Sequence, residues 1–266
     1  METAGVKVVN VHPANREKGL PTVMATIVLN DPKTGAPLAI MDGTYITILR
    51  TGAAGAVAAK YLARKNSEKA AIIGAGVQGR IQLEAFTKVL DVKEARVYDI
   101  RYEAAETYAK EMSRKLGVDV KPVKTVKEAV ENADVIATCT PARGPIVPVE
   151  VISKGVHINA IGADAPGKQE LDPEILKKAD KIVVDDMEQA THSGEVNVPL
   201  SKGIITRSDI YAELGEIVAG VKKGREKDEE ITIFDSTGLA IQDVATANLV
   251  YRKALEKGVG KELTLF

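Results

Sequence analysis

The chain has 266 residues, 45% of them hydrophobic and 27% charged, enough for a full core in one or two domains. It carries 36 basic against 37 acidic residues, a net charge of -1, which excludes a protein built to neutralise nucleic-acid phosphates. The longest stretch free of Asp, Glu, Lys and Arg is residues 19–30, well short of the roughly 20 apolar residues of a membrane span.

Residues 1–5 have neither a basic region nor an apolar run, so no secretory leader is expected. One cysteine, Cys139, excludes an internal disulfide and fits a reducing cytoplasm. Residues 6–11, 22–30 and 38–41 read as strands. The turn composition of Asp31-Pro32-Lys33-Thr34-Gly35 predicts an antiparallel hairpin. Residues 44–61 read as a helix rich in small residues. From Lys69 the pattern changes: apolar runs at 70–73, 95–98, 118–122, 135–138, 157–161 and 182–184 alternate with helical periods such as 78–89 and 102–116. Such alternation predicts an α/β fold with a parallel sheet. A strand at 231–234 and a helix at 239–256 close the chain, and the mixed charge run at 222–230 reads as a solvated turn.

The first chemical signal is Gly74-Ala75-Gly76-Val77-Gln78-Gly79, which follows an apolar strand and opens a helical period. Gly74 allows the tight turn, Gly76 lets a pyrophosphate approach the backbone, and Gly79 lets helix and strand pack closely. The helix N-terminus offers free N–H groups to phosphates. Asp99, ending the next strand, can accept from ribose hydroxyls and would repel a 2′-phosphate. The pattern predicts a dinucleotide, NAD rather than NADP, although Arg101 would reach a 2′-phosphate. The hydroxyls of Thr138 and Thr140, at the end of another strand, would line the same cleft, while Cys139 reads as a small buried residue.

Arg50 shares a helical stripe with Ile46, Ala53, Ala54 and Val57, and a guanidinium there needs an anion. The anion is a cofactor phosphate, a substrate carboxylate or an internal Asp or Glu. Asp164 follows a strand in Gly162-Ala163-Asp164-Ala165-Pro166-Gly167-Lys168 and reads either as a general acid or base or as a helix cap. Asp172-Pro173 supplies the next helix with a cap of its own, which leaves Asp164 free. In Asp235-Ser236-Thr237-Gly238, Ser236 or Thr237 is an N-cap, or the helix start is an anion site. His12, His157 and His192 lack metal-ligand spacing, and His157 reads as a core histidine.

Gly5-Val6-Lys7 through Pro13, Leu49-Arg50-Thr51-Gly52-Ala53, the glycine fingerprint, Asp164-Ala165-Pro166-Gly167-Lys168 and residues 234–243 together resemble the ornithine cyclodeaminase/mu-crystallin family, most closely its archaeal alanine dehydrogenase branch. The resemblance implies an NAD(P)-dependent enzyme acting at the α-carbon of an amino acid, most simply oxidising L-alanine to pyruvate and ammonia. Ornithine cyclodeamination, ketimine reduction and a non-enzymatic crystallin-like role are the alternatives. It implies Lys7 and Asp164 as catalytic residues, with Lys7 and Thr237 at the substrate. Arg50, Val77, Gln78, Asp99, Thr140, Ala163, Lys168 and Ser236 fall at the cofactor. It also implies a Rossmann domain over residues 63–234, a second, dimerising domain from 1–62 and 235–266, and a homodimer. Family members carry a further segment ahead of the Gly-x-Lys stretch, with an arginine for the substrate carboxylate. A chain that reaches Lys7 after six residues is expected to bind the dinucleotide but to turn amino acids over weakly.

Overall fold

The computed structural model describes residues 2–264 and divides into two units, residues 1–50 with 239–266 and residues 51–238. In the first unit β1 (Ala4–Val11), β2 (Val23–Asn30) and β3 (Pro37–Asp42) form an antiparallel sheet in that order, with the hairpin where the turn composition puts it. Asp31 Oδ1 accepts the Lys33 N–H at 2.7 Å, and Gly35 takes φ +76°, a left-handed conformation suited to glycine. Alternation along β2 buries Ala25, Ile27 and Leu29 on one face.

Helix α1 (Thr44–Leu62) starts on the Asp42 carboxylate, which accepts the Thr44 and Tyr45 N–H groups at 3.0 Å each. Its residues from Thr51 onward belong to the second unit, because Ala54, Ala58 and Leu62 pack in one core with Val183, Ala212 and Phe234. The division thus falls inside α1 rather than after residue 62. The small residues have a steric reason. A Cβ on Gly52 would come within 2.4 Å of Ile81, and one on Gly55 within 2.1 Å of the Gln82 amide oxygen.

The second unit continues with β4 (Lys69–Ile73), α2 (Val77–Val89), β5 (Glu94–Tyr98), α3 (Tyr102–Leu116), β6 (Asp119–Pro122), α4 (Val126–Val130), β7 (Val135–Thr138), β8 (Arg143–Val147), β9 (His157–Ala160) and β10 (Gln169–Leu171). Then come α5 (Pro173–Lys178), β11 (Lys181–Val184), α6 (Met187–Ser193), α7 (Asn197–Ser201), β12 (Ile210–Glu213), α8 (Leu214–Val218) and β13 (Thr232–Asp235). Eight strands form one parallel sheet in the order β12-β11-β13-β9-β7-β4-β5-β6. β8 and β10 form a separate parallel pair. Successive strands run outward from β4 through β5 to β6, then resume on its other side with β7. The order therefore reverses between β4 and β7, the place where open α/β sheets bind ligands at strand carboxyl ends.

Both faces of the sheet are covered by apolar cores, one centred on Ile136, Ile158 and Ile233, the other on Ile72, Phe86 and Tyr108. His157 is a core residue, bonded to Thr232 Oγ1 and Asn159 Oδ1 at 2.9 Å each, and burial drives its pKa down to about 3. The charge run at 222–230 is more than a solvated turn. Arg225 donates to the carbonyls of Leu62 and Glu230 at 2.6 Å and of Val156 at 3.1 Å, joining three segments. Helix α9 (Ala240–Lys257) returns to the first unit and packs Val244 and Ala247 with Ile27, Leu29 and Ile46. Among the described residues no helix is long and apolar enough to cross a membrane.

Candidate functional site

The glycine fingerprint forms the turn between β4 and α2, with a distinct reason for each glycine. Gly74 takes φ +108°, and a Cβ there would approach the Cys139 carbonyl to 2.8 Å. A Cβ on Gly79 would lie 2.1 Å from the Gly74 oxygen. Gly76 differs. Its φ of -82° suits any residue, and a Cβ would meet nothing within 4 Å. Neither the backbone nor the protein interior requires glycine at the N-cap of α2, so the missing side chain leaves room in front of a helix N-terminus, as an anion would need. Val77 is exposed, while the buried Gln78 Oε1 has no hydrogen-bond partner among the described residues.

Asp99, at the end of β5, holds this turn. Its Oδ2 accepts the Ala75 N–H and its Oδ1 the Arg101 N–H, each at 3.0 Å. Each oxygen keeps a lone pair for another donor. The Arg101 side chain is mostly exposed and lies 3.9 Å from the Asp99 carboxylate. A cavity of about 410 Å³ opens against the same two loops, lined by Ala75, Arg80, Arg101, Glu103, Ala104 and Thr107.

Thr138 ends β7 beside Ile73 of β4 and is buried. Thr140 follows, its N–H donated to Glu170 Oε1 at 2.7 Å and its hydroxyl accepting the Ala142 N–H at 3.3 Å. Cys139 is half-buried, and burial holds its thiol pKa well above the ordinary range. After β9, Ala163 is buried whereas the Asp164 carboxylate is 53% exposed and paired with Lys168. Asp164 does not cap α5. Asp172 does, accepting the Glu174 N–H at 2.9 Å with Pro173 in the first turn. After β13, Ser236 donates to Asp185 Oδ2 at 3.1 Å, and the Gly238 N–H reaches the same oxygen at 2.7 Å. The N-cap of α9 is Leu239, without a side-chain cap, so neither Ser236 nor Thr237 caps that helix. The Asp185 carboxylate engages Ser236 and leads the chain past the predicted cap. The Thr237 hydroxyl is buried without a hydrogen-bond partner among the described residues.

Gly74, Asp99, Asp164 and Ser236 thus follow four strands of one parallel sheet, and Thr138 ends a fifth, so all five share its carboxyl edge. In the first unit, Lys7 and Arg50 meet each other on one carboxylate. Asp243, 2% exposed, accepts Lys7 Nζ at 2.5 Å on Oδ2 and Arg50 Nε at 3.1 Å on Oδ1, and Arg50 also reaches Gln242 Oε1 at 3.3 Å. An internal acid, one of the three anions open to Arg50 in the sequence, is thus in contact with its Nε. Asp243 and Glu170 are among the residues, with Asp185 and Glu195, that sequence reasoning gave no role. Among the described residues, no group of three or more His, Cys, Asp or Glu could hold a metal.

An open parallel sheet whose order reverses beside a glycine-rich strand-to-helix turn defines a Rossmann-type α/β protein. The sequence pattern of the ornithine cyclodeaminase/mu-crystallin family matches residues 1–258, and the chain belongs to that family. It is 57% identical over 267 residues to the alanine dehydrogenase of Archaeoglobus fulgidus, covering 100% of this chain and 81% of that protein. A solved archaeal alanine dehydrogenase dimer with bound NAD matches at TM-score 0.96 and 57% identity, over 100% of this chain and 82% of that one. The Thermococcus litoralis Δ1-pyrroline-2-carboxylate reductase, solved with NADH and L-proline, matches at TM-score 0.95 and 52% identity, over 97% and 80%.

Proposed function

We propose that this chain is an NAD-dependent oxidoreductase of small L-amino acids, with oxidative deamination of L-alanine to pyruvate and ammonia as its reaction. The observation that carries the reading is the space left by Gly76 at the N-terminus of α2, with Asp99 anchored beside it. The first N–H groups of α2 would hold the pyrophosphate, and the spare lone pairs of Asp99 the adenosine ribose. The unpartnered Gln78 Oε1 and Thr237 hydroxyl are polar groups that such a ligand would satisfy. Thr138, Thr140, Ala163, Lys168 and Ser236 contribute from the other strand ends. When bound, the dinucleotide supplies the hydride acceptor.

Asp164 takes the proton role. Its carboxylate is exposed, makes no cap and pairs with the Lys168 ammonium, which leaves it open to water and substrate for proton transfer. Lys7 is assigned to the substrate carboxylate and Arg50 to the cofactor pyrophosphate; Asp243 fixes both cations in the first unit. A homodimer in the cytoplasm belongs to the same reading. Val6 and Ile40 flank Val28 in one row across the first unit's sheet and are exposed, which supports a partner on that face.

The second reading is reduction of a cyclic imine, favoured by the likeness to the pyrroline-carboxylate reductase. One set of assays separates them: NADH formation with a panel of amino acids, NADH consumption with Δ1-pyrroline-2-carboxylate, and proline formation from ornithine. Alanine as the best substrate supports the first reading. A higher kcat/KM with the imine replaces it, and proline from ornithine without net NADH change makes the chain a cyclodeaminase.

A further inference from the structure

We propose that Glu170 is a positioning residue, its buried carboxylate fastening the loop after β7 to the loop that carries Asp164; the inference rests on the amino-acid oxidoreductase reading. Glu170 is fully buried and has no ion-pair partner among the described residues. A carboxylate in that setting needs strong donors on both oxygens. It has them from two different loops. Oε1 accepts the Thr140 N–H at 2.7 Å, and Oε2 accepts the Gly162 N–H at 2.9 Å. Those residues follow β7 and β9, adjacent strands on the edge where the proposed cofactor residues gather.

The loops close directly on the carboxylate. A Cβ on Gly162 would lie 2.5 Å from Glu170 Oε2 and 2.2 Å from the Thr140 carbonyl. Gly162 precedes Asp164 by two residues, so a shift of its backbone moves the carboxylate assigned to proton transfer. A misplacement of about 1 Å at a reacting group costs on the order of 10²-fold in rate. Glu170 is itself held from behind: Glu195, also buried, accepts the Glu170 N–H on both oxygens at 3.0 Å and the Leu171 N–H on Oε1 at 2.8 Å.

The two glutamates differ in what an amide can replace. Glu170 serves two N–H donors with two separate oxygens. Glutamine would present one oxygen and one NH2, and the NH2 would face an N–H. Glu195 reaches both of its donors with Oε1, and Oε2 only shares the Glu170 N–H, so a single amide oxygen can serve both there.

The test compares the parent, Glu170→Gln and Glu195→Gln by steady-state kinetics with the amino-acid substrate, by NADH fluorescence titration and by hydrogen exchange at the Thr140 and Gly162 amides. For Glu170→Gln the expected result is at least a tenfold loss of kcat, a change of less than threefold in NADH affinity, and at least tenfold faster exchange at the two amides. Glu195→Gln is expected to lose less than threefold in kcat. Glu170→Gln within threefold of the parent in kcat, or Glu195→Gln losing as much as Glu170→Gln, overturns the proposal. Should Glu170→Gln fail to fold, Glu170→Asp retains the charge but is one methylene too short to serve both loops; the same kcat loss is expected, and parent-like kcat overturns the idea. A parent that turns over no amino acid defeats the functional reading alone. The fastening is then judged by exchange at Thr140 and Gly162, and unchanged exchange in the variant defeats it.

Discussion

In the first unit the buried carboxylate of Asp243 lies between two cations, Lys7 and Arg50. In the second, Glu170, Glu195 and Asp235 are buried with backbone N–H groups on their oxygens and no cation paired with them among the described residues. The environments act accordingly. Burial raises the pKa of Glu170, lifts that of Glu195 well above its ordinary value, and pushes Asp235 up to about 7. At these buried acids, two cations are gathered on one carboxylate in the first unit, and loop backbone meets the three carboxyl groups in the second. A substitution at Asp243 leaves cations unpaired; one at Glu170 moves loops. Asp164 stands outside both patterns, with an exposed carboxylate and a lysine at its side.

That exception gives the largest expected effect. Asp164→Asn keeps the size and the hydrogen bonding of the loop but cannot take a proton. Turnover should fall by about 10²–10⁴-fold, with NADH affinity little changed in fluorescence titration. Near-parent turnover would make Asp164 a structural residue and move the proton role elsewhere.

The next effect breaks the pattern of the first unit. Asp243→Asn leaves Lys7 and Arg50, both mostly buried, with one neutral acceptor in place of an anion. Removing one partner of a buried ion pair costs roughly 3–5 kcal/mol, and urea unfolding of the parent and variant measures it. A loss below about 1 kcal/mol would mean that solvent compensates the two cations and the cluster is a surface network.

These two residues also mark how far the sequence could be read. The glycine turn and Asp99 were legible because their chemistry is local: strand, turn, helix and acid lie within 31 residues, and Gly74 and Gly79 each answer a close contact. His157 was legible because it interrupts a short apolar run. Asp243 and Glu170 had no such pattern. Asp243 meets Lys7 across 236 residues, and Glu170 meets Thr140 across 30, so their partners depend on the finished topology. Arg50 shows the boundary within one residue. The stripe demanded an anion, but only tertiary structure brings Asp243, 193 residues away, to the Arg50 Nε. The short strands β8, β10 and β12 escaped because Gly144, Pro145, Gln169 and Glu170 break any apolar run, and at three to five residues they carry no period. Ser236 and Thr237 looked like caps by type alone, and Asp185 from a neighbouring strand end took the Ser236 hydroxyl instead.

Asp235 sharpens the contrast through pH. Burial, opposed by the Val196 N–H and assisted by the nearby Asp185 charge, puts its native pKa at about 7 against 3.8 for the free group. Between those values the native state holds a proton that the unfolded state has lost, so stability falls as pH rises from about 4 to 7. Asp235→Asn removes that cost and keeps an acceptor for Val196. The variant's stability relative to the parent should therefore improve across this window, by at most about 4 kcal/mol at 1.36 kcal/mol per unit. His157, with its native pKa at about 3, acts with the opposite sign, losing stability as pH falls below about 6.5. The substitution leaves that slope in place. Melting curves from pH 4 to pH 8 in both proteins separate the two, and parallel curves would mean that Asp235 is ionised throughout.

The smallest expected effect concerns a carboxylate that combines both habits, for Asp99 is tied by backbone N–H groups and yet faces the proposed ribose. The parent should bind NADH more tightly than NADPH, because the 2′-phosphate would confront the Asp99 charge. Asp99→Ser removes that repulsion, and Arg101, mostly exposed beside the cavity, becomes available to the added phosphate. The same substitution also releases the Ala75 and Arg101 N–H groups that Asp99 holds at 3.0 Å, loosening the turn that receives the pyrophosphate. Two changes should therefore appear together: weaker NADH binding from the lost ribose and loop contacts, and a ratio of NADPH to NADH affinity raised by about tenfold, or roughly 1.4 kcal/mol. Fluorescence titration of parent and variant with both reduced dinucleotides measures each quantity separately. If NADH binding weakens while the ratio stays constant, Asp99 acts only as an anchor for the glycine turn. If the parent already binds NADPH as tightly as NADH, Arg101 outweighs the Asp99 charge, and the cofactor preference assigned to this chain is wrong.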